Sequence, residues 1–553
     1  MTRDENSRPD NLFGLLERTV AAWPERPAFA VPSRLADGWR MGDGVWSYAT
    51  FFQRVTELRD RLEAAGLPAS LDSNRRVALL LGNQPEFYVH WLALNALGIS
   101  IVPINPDYQR EEIRYLFDTS GARLAIVLAD HVASVEAAAA LVDPAIQVVA
   151  HGAELKRLAP GETGAVAKTN DEAALLFTSG TTSRPKACIL SNDYFLYWGE
   201  RYGSEGGLIS LRPGEERLLQ PLPTFHINAI ANAFMTMLTI GCCLIPLDRF
   251  HPRTWWDDAI DAGATCFHYL GVMPAMLMAL PVAPTEKRHG MRYGMGGGID
   301  PKQHAPFEER FGTVLCEGWA MTEIGATGLM ADSHEPRSVG TRCIGKPRPH
   351  QEIRLVDESG QEIAGEGQGA LQLRHAGADP RKGFFSGYLN NPDATAEAWQ
   401  DDWFHTGDVV RRAADGKLHF VERKKNIIRR SGENIAPAEV ELVLRRHPDV
   451  VNVAVVAIAD PIREEEVAAF ILPAEIVGVD EAALAEALFA RCRDDLAYFK
   501  APGLIVFVDS LPTTATQKVQ RGELEALAKQ IEHLPRQHDF RTRKKRTMAS
   551  SSR

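Results

Sequence analysis

The stretch from Thr178 to Lys186 (Thr-Ser-Gly-Thr-Thr-Ser-Arg-Pro-Lys) carries five hydroxyls, one glycine and a closing lysine, directly after the apolar run Ala173 to Phe177. Small residues expose backbone N–H groups and a lysine adds positive charge, so a strand that delivers such a loop makes a phosphate cradle. It is not a Walker A loop, which needs a glycine before the lysine and a hydroxyl after it; here Pro185 precedes Lys186 and Ala187 follows. A Ser/Thr-rich surface turn has much the same composition. The loop alone leaves both readings open.

The elements around it read as a repeating strand and helix pattern. Leu12 to Trp23 has apolar residues at helical spacing and ends before Pro24. The runs Arg76 to Leu81 and Ile99 to Ile104 flank a helical stretch from Pro85 to Leu97, a unit that builds parallel sheets. The alternation returns in the strands Leu124 to Leu128 and Ile146 to Ala150, with an alanine-rich helix near Val132 to Leu141 between them. From Ile353 to Leu373 short alternating strands and glycine-rich turns point to a small β subdomain. Glu422 to Asn426 is charge-dense and reads as a linker, after which helix, strand, strand and helix form a compact tail domain.

A chain of 553 residues is too long for one core. Its 45% hydrophobic and 24% charged residues suit an ordinary globular protein, and the net charge of -11 argues against a nucleic-acid or anionic-membrane surface. Seven cysteines without C-x-x-C spacing suggest reduced thiols. The polar, acidic start has no signal-peptide character, which gives a cytoplasmic expectation. Ala229 to Leu247 approaches spanning length, but Gly241, Pro246 and the absence of flanking anchors favour a buried helix running into a core strand over a membrane span.

Five further clusters accompany the loop: Gly294-Met295-Gly296-Gly297-Gly298, Gly318-Trp319-Ala320-Met321-Thr322-Glu323, Trp403 to Asp408, Arg429 to Val440, and Leu511 to Arg521 around Lys518. Together the six resemble the adenylate-forming superfamily of acyl-CoA synthetases, peptide-synthetase adenylation domains and luciferases, over nearly the whole chain. Thr182-Ser183-Arg184-Pro185-Lys186, Phe225-His226-Ile227 and Asp460 to Glu465 resemble the carnitine/crotonobetaine–CoA ligase-like members.

The resemblance implies an α/β architecture with mixed sheets and a small β subdomain, in which a large adenylate-forming body (1–422) carries a small mobile α+β domain (423–530). Residues 531–553 are expected to be a disordered basic tail. It implies that Thr178, Ser179, Gly180, Thr181, Thr182 and Lys186 wrap the ATP phosphates and that Gly296, Gly297 and Gly298 lie beside adenine, where a missing Cβ admits a flat purine. Trp319 would stack on the base, Thr322 hold the α-phosphate, and Glu323 serve Mg²⁺ as a hard carboxylate ligand. Asp408 and Arg423 would hold the ribose, Lys425 would be the hinge, and Lys518 the adenylation lysine. His226 would gate the thiol channel, lined by Ser431, Gly432 and Glu433, and Ile227, Asn228, Val272 and Met273 would line the acyl pocket.

The implied reaction activates a small carboxylic acid with ATP and passes the acyl group to coenzyme A. Transfer to a carrier-protein thiol or an amine is the alternative, because Ser183, Ser431 and Gln517 stand where the family more often has other residues. A non-catalytic nucleotide-binding homologue is the third reading. No nucleic-acid partner and no membrane span are expected, and the protein would be a monomer or homodimer.

Overall fold

A computed structural model describes residues 8–67, 75–143, 146–155, 171–178, 184–423, 427–474, 480–512, 521–531 and 534–546. Two largely parallel sheets form the body. One has strands ordered 387–388, 186–191, 172–178, 100–103, 76–80, 124–127 and 147–150; the other runs 330–331, 314–319, 293–297, 266–270, 217–220, 243–246, 27–30 and 45–47. The helix Pro85–Ala96 is buried on nearly every side, which explains why its sequence lacks a polar face. The helix Asn192–Gly203 is likewise buried and is capped by Ser191, whose hydroxyl accepts from the Tyr194 N–H.

The apolar segment behaves as expected, with one difference. Asn228–Met235 winds as a π-helix before Thr236–Ile240 continues as α-helix, Gly241 turns left-handed, and Cys243–Pro246 enters the sheet. Among the described residues no helix is long and apolar enough to cross a membrane. All seven cysteines are buried and unpaired.

A third, antiparallel sheet (343–345, 418–423, 403–412, 367–375, 351–356) is the β subdomain. Its strand Leu418–Arg423 pairs Arg423 with Asp408. The C-terminal domain is built on strands 433–435, 428–430, 464–473, 504–507 and 537–539, with 450–460 paired to 464–473. The helices Pro437–Leu444 and Glu481–Asp495 cover its core.

The expected disordered tail is in part ordered. Gln537–Asp539 adds an antiparallel strand to Leu504–Phe507, Phe540 stacks on Phe489 at 4.5 Å, and Lys544 is buried in an ion pair with Glu466. The basic residues that read as a solvated terminus therefore have acidic partners within the fold: Arg543 meets Glu486 at 2.5 Å, and Arg546 meets Asp107 of the body at 2.6 Å.

A second contact seats the C-terminal domain on the body. Lys500 Nζ lies 2.6 Å from Glu112 of the body helix Arg110–Ser120 and 2.8 Å from Glu439 of its own domain. Burial pushes the Glu112 carboxyl up to about 7 against the pull of Lys500. Burial also opposes the charge on Lys500, but the two carboxylates outweigh it and its pKa rises.

Candidate active site

The parallel strands Cys266–Leu270, Tyr293–Gly297 and Val314–Trp319 lie side by side, with their carboxyl ends on one rim. Such a rim is where an open α/β sheet binds its ligands. Strand Glu172–Thr178 pairs antiparallel with Lys186–Ser191 and sets Thr178 opposite Lys186, so the loop joins the ends of a hairpin. Ser179, Gly180, Thr181 and Thr182 lie outside the described residues. At the loop's base Thr178 Oγ1 lies 3.3 Å from Glu323 Oε1, and the Tyr388 hydroxyl donates to the same oxygen at 2.9 Å. Lys186 Nζ sits 4.8 Å over the Tyr388 ring. Burial, and then the Glu323 charge, hold the Tyr388 phenol far above its usual pKa, so it stays a donor.

Glu323 is buried at 7% exposure, and Thr322 beside it is held through its carbonyl, which accepts from the Tyr194 hydroxyl at 2.8 Å. No cluster of three or more metal-ligating side chains occurs among the described residues. One oriented carboxylate beside Thr178 fits a Mg²⁺ that arrives on polyphosphate, since that ion takes few protein ligands and keeps phosphate and water oxygens.

Trp319 closes its strand with the indole N–H donating 2.8 Å to Asp408 Oδ2, which ties together two motifs 89 positions apart. The bond fixes the ring edge. Asp408 is 0% exposed, its backbone N–H donates to Thr406 Oγ1 at 3.0 Å, and Arg423 lies across the ladder from it. A ribose reaching that carboxylate must therefore displace a neighbour.

Gly296 has a different cause from the one its motif suggests. A Cβ there would stand 2.1 Å from the Tyr269 carbonyl oxygen, so the close approach of the neighbouring strand demands glycine before any purine does. At Gly297 a Cβ would stand 2.8 Å from the Gly318 carbonyl oxygen. Gly298 lies at the exposed turn, and its N–H donates to Glu317 Oε1 at 3.1 Å.

The loop between strands Ile428–Arg430 and Glu433–Ile435 is docked on this rim. Gly432 packs so tightly on the body that a Cβ would lie 2.3 Å from Leu270 Cδ1. Glu433 Oε2 comes 3.4 Å from His226 Nε2, within ion-pair reach but without hydrogen-bond geometry. Ser431 adopts φ +52°, a left-handed conformation, which is the physical reason a second glycine suits this position. Lys425 and Lys518 lie outside the described residues, and of Arg423 only the backbone is described.

The residues expected to line the acyl pocket split into two kinds. Val272 and Met273, which open the helix Val272–Met278, are packed into the core, and Ile227 packs against the core from a half-buried position. Asn228 belongs to a polar chain: its Oδ1 accepts from Gln220 Nε2 at 2.8 Å and contacts His268 Nδ1 at 2.9 Å, while His268 Nε2 is 3.4 Å from the Tyr202 hydroxyl. Burial lowers the His268 pKa to about 3, which keeps the ring neutral.

Reading by motif missed Tyr388, Gln220 and His268. Tyr388 stands in Gly387-Tyr388-Leu389-Asn390-Asn391-Pro392, where the turn residues announce only a loop. The other two lie inside apolar strands and look like isolated polar substitutions.

The chain matches the AMP-binding enzyme family over residues 16–389 and the AMP-binding enzyme C-terminal domain over residues 439–518. It is 29% identical over 510 residues to a crotonobetaine/carnitine–CoA ligase of Proteus mirabilis (strain HI4320), covering 87% of this chain and 93% of the relative. An o-succinylbenzoate CoA synthetase of Bacillus subtilis, a double mutant bound with a product analogue, superposes with TM-score 0.78 at 22% identity, covering 93% of this chain and 98% of that one. An amide bond synthetase of Marinactinospora thermotolerans gives TM-score 0.76 at 25% identity, covering 93% and 99%. These matches span both domains in the order the motifs require, and the chain belongs to the AMP-binding enzyme family.

Proposed function

We propose that this protein is an AMP-forming acyl-CoA synthetase acting on a small carboxylic acid. The observation that carries the reading is the gathering of Thr178, Glu323 and Tyr388 at the base of the hydroxyl-rich loop, with the Gly432 loop docked beside His226 on the same rim. The named ligases and synthetases among the similar proteins support it.

In the first half-reaction a carboxylate oxygen of the acid bonds to the α-phosphorus of ATP, the α–β bridging P–O bond breaks, and pyrophosphate leaves with those electrons. Such a transfer depends on positioning and charge neutralisation. The loop from Thr178 to Lys186 clasps the departing phosphates, Thr322 orients the α-phosphate, and Lys518 bridges the reacting oxygens. Trp319 lies along the base, and Asp408 with Arg423 takes the ribose. Mg²⁺, when bound through Glu323, supplies neutralising charge on the polyphosphate.

In the second half-reaction a thiolate sulfur attacks the acyl carbon and AMP departs with the bridging oxygen. Ser431, Gly432 and Glu433 line the approach of the thiol, and His226 gates it. The docked Gly432 loop corresponds to this second state, so the domain must turn about Lys425 to bring Lys518 in for the first.

The test is pyrophosphate exchange into ATP across a panel of acids, together with AMP release with and without CoA. Acid-dependent exchange coupled to CoA consumption is the expected result. Exchange without CoA consumption would support transfer to a carrier-protein thiol or an amine instead. No exchange with any acid would leave only the nucleotide-binding homologue. Lys518→Ala is expected to lower exchange about 10²-fold or more, the range seen for loss of a transition-state donor.

A further inference from the structure

The last described residues of the chain do more than cover the C-terminal domain. Gln537–Asp539 pairs with Leu504–Phe507, the Phe540 N–H donates to the Gly503 carbonyl at 2.8 Å, and the Lys545 carbonyl accepts from Arg493 at 2.7 Å. Between these anchors the buried Lys544 ammonium meets Glu466, which also accepts from Arg430 Nε at 2.8 Å. Arg430 ends the strand that leads into Ser431, Gly432 and Glu433. The segment 537–546 and the hairpin docked beside His226 are thus tied to each other through Glu466.

From that anchorage Arg546 reaches across to the body. Its Nε lies 2.6 Å from Asp107 Oδ1, in the connection between the strand Ser100–Pro103 and the helix Arg110–Ser120. Asp107 keeps only 16% of its side-chain surface exposed, and Arg546 keeps 41%. Burial pushes the Asp107 carboxyl up, Arg546 pulls it down, and Glu433 pushes it up again. Docking therefore brings two carboxylates toward each other, one from each domain. The tail supplies a positive charge that offsets them.

We propose that residues 537–546 form a latch that favours the docked arrangement, with Arg546 closing on Asp107 of the body. The proposal rests on the two-state reading above, in which the domain turns for adenylate formation, so the Arg546 contact opens in each cycle. A half-exposed pair suits that task, because it contributes little enough to be broken repeatedly. The Lys544–Glu466 pair lies within the domain, and the tail travels with it. The two charges are not equivalent. Removing Arg546 leaves a largely buried Asp107 unpaired against the charge of Glu433, whereas removing both leaves no uncompensated partner.

Energy transfer between two fluorophores on the full chain reads the docked fraction, with labels on Val282→Cys of the body and Val451→Cys of the C-terminal domain. Both positions are well exposed, and all seven native cysteines are buried. Arg546→Ala should lower the ratio of docked to undocked molecules by about fivefold, the upper range for an exposed pair. Adding Asp107→Asn should recover most of that loss, a coupling that independent damage at two sites does not give. Raising the salt concentration should lower the ratio in the parent protein and do less in Arg546→Ala. A docked fraction unchanged by Arg546→Ala, or lowered further by adding Asp107→Asn, would overturn the latch. The fluorescence needs no substrate and is read whether or not the synthetase reading holds. With substrates, the rate of thioester formation relative to pyrophosphate exchange should fall and recover in the same order. Absence of exchange with every acid while the docked fraction still responds would overturn the synthetase reading and leave the latch standing.

Discussion

At the scale of single residues, the site is organised by what satisfies its buried carboxylates. Glu323 is nearly sealed, and its Oε1 takes hydrogen bonds from Tyr388 and Thr178. Hydrogen bonds to a charged group are worth roughly 1.5–3 kcal/mol. Tyr388→Phe should therefore loosen Glu323 and lower kcat/KM for ATP by about tenfold or more, with little change in KM for the acid; steady-state kinetics with each substrate varied in turn would check this. Equal losses for the two substrates would instead mean a general structural defect. The role of Tyr388 was not legible in its own neighbourhood, because 65 positions separate it from the carboxylate it serves. Asp408 and Trp319 were legible as motifs, but their direct bond was not, since only the meeting of two sheets brings them together.

At the scale of elements, two segments depart from regular geometry where the chemistry is assigned. Asn228–Met235 winds as a π-helix, which shifts the faces of its polar residues relative to an α-helix of the same sequence. The apolar pattern foretold a helix, but not its pitch. The turn at Ser431-Gly432 is the second. Both residues have positive φ, at +52° and +85°, and Gly432 abuts Leu270. Gly432→Val adds a branched side chain where the space is taken and φ is unfavourable. It should depress CoA-dependent product formation by one to two orders of magnitude, roughly the effect of a small misplacement at a reacting centre. Pyrophosphate exchange should be largely spared. Loss of exchange to the same degree would show that the loop also serves the first half-reaction.

At the scale of the molecule, the two domains meet through charges that are buried. Lys500 stands between Glu112 of the body and Glu439 of its own domain, and all three are nearly inaccessible. Removing one partner of a buried ion cluster leaves uncompensated charge, which typically costs about 3–5 kcal/mol. Lys500→Met should thus weaken the docked arrangement and slow thioester formation relative to pyrophosphate exchange, as a ratio of the two rates would reveal.

The whole fold also carries an acid sensitivity. His90 and His268 are buried neutral, each lowered to about 3, His90 by burial and then by His151, His268 by burial alone. Both folded values lie below the unfolded one near 6.5. The unfolded chain binds more protons as pH falls, so this stability is full above about pH 6.5 and drains away toward pH 3. Between about pH 6.5 and 4 the loss is on the order of 3 kcal/mol per imidazole. Urea titrations at stepped pH should show the midpoint falling over that window, and His268→Gln should flatten the dependence.

Local spacing by itself determined much of this protein. The strand and helix alternation follows from residue types a few positions apart and announced an α/β body and a second domain, while the acid-activating chemistry was what the resemblance of the six clusters to the adenylate-forming superfamily implied. Local spacing misjudged the basic C-terminal residues, because a run of arginines and lysines looks solvated until its acidic partners are known. Those partners, Glu466, Glu486 and Asp107, lie 57 or more positions away. Tertiary structure decided which partners the Glu323 carboxylate meets, how the Asn228 amide is tied to Gln220 and His268, and which body residues Gly432 and Lys500 touch. These depend on hydrogen bonds and ion pairs between distant segments, which no local pattern encodes. So it is with the stretch from Thr178 to Lys186: its residues suit a phosphate cradle and a surface turn alike, and only packing brought Glu323 and Tyr388 to Thr178 at its base.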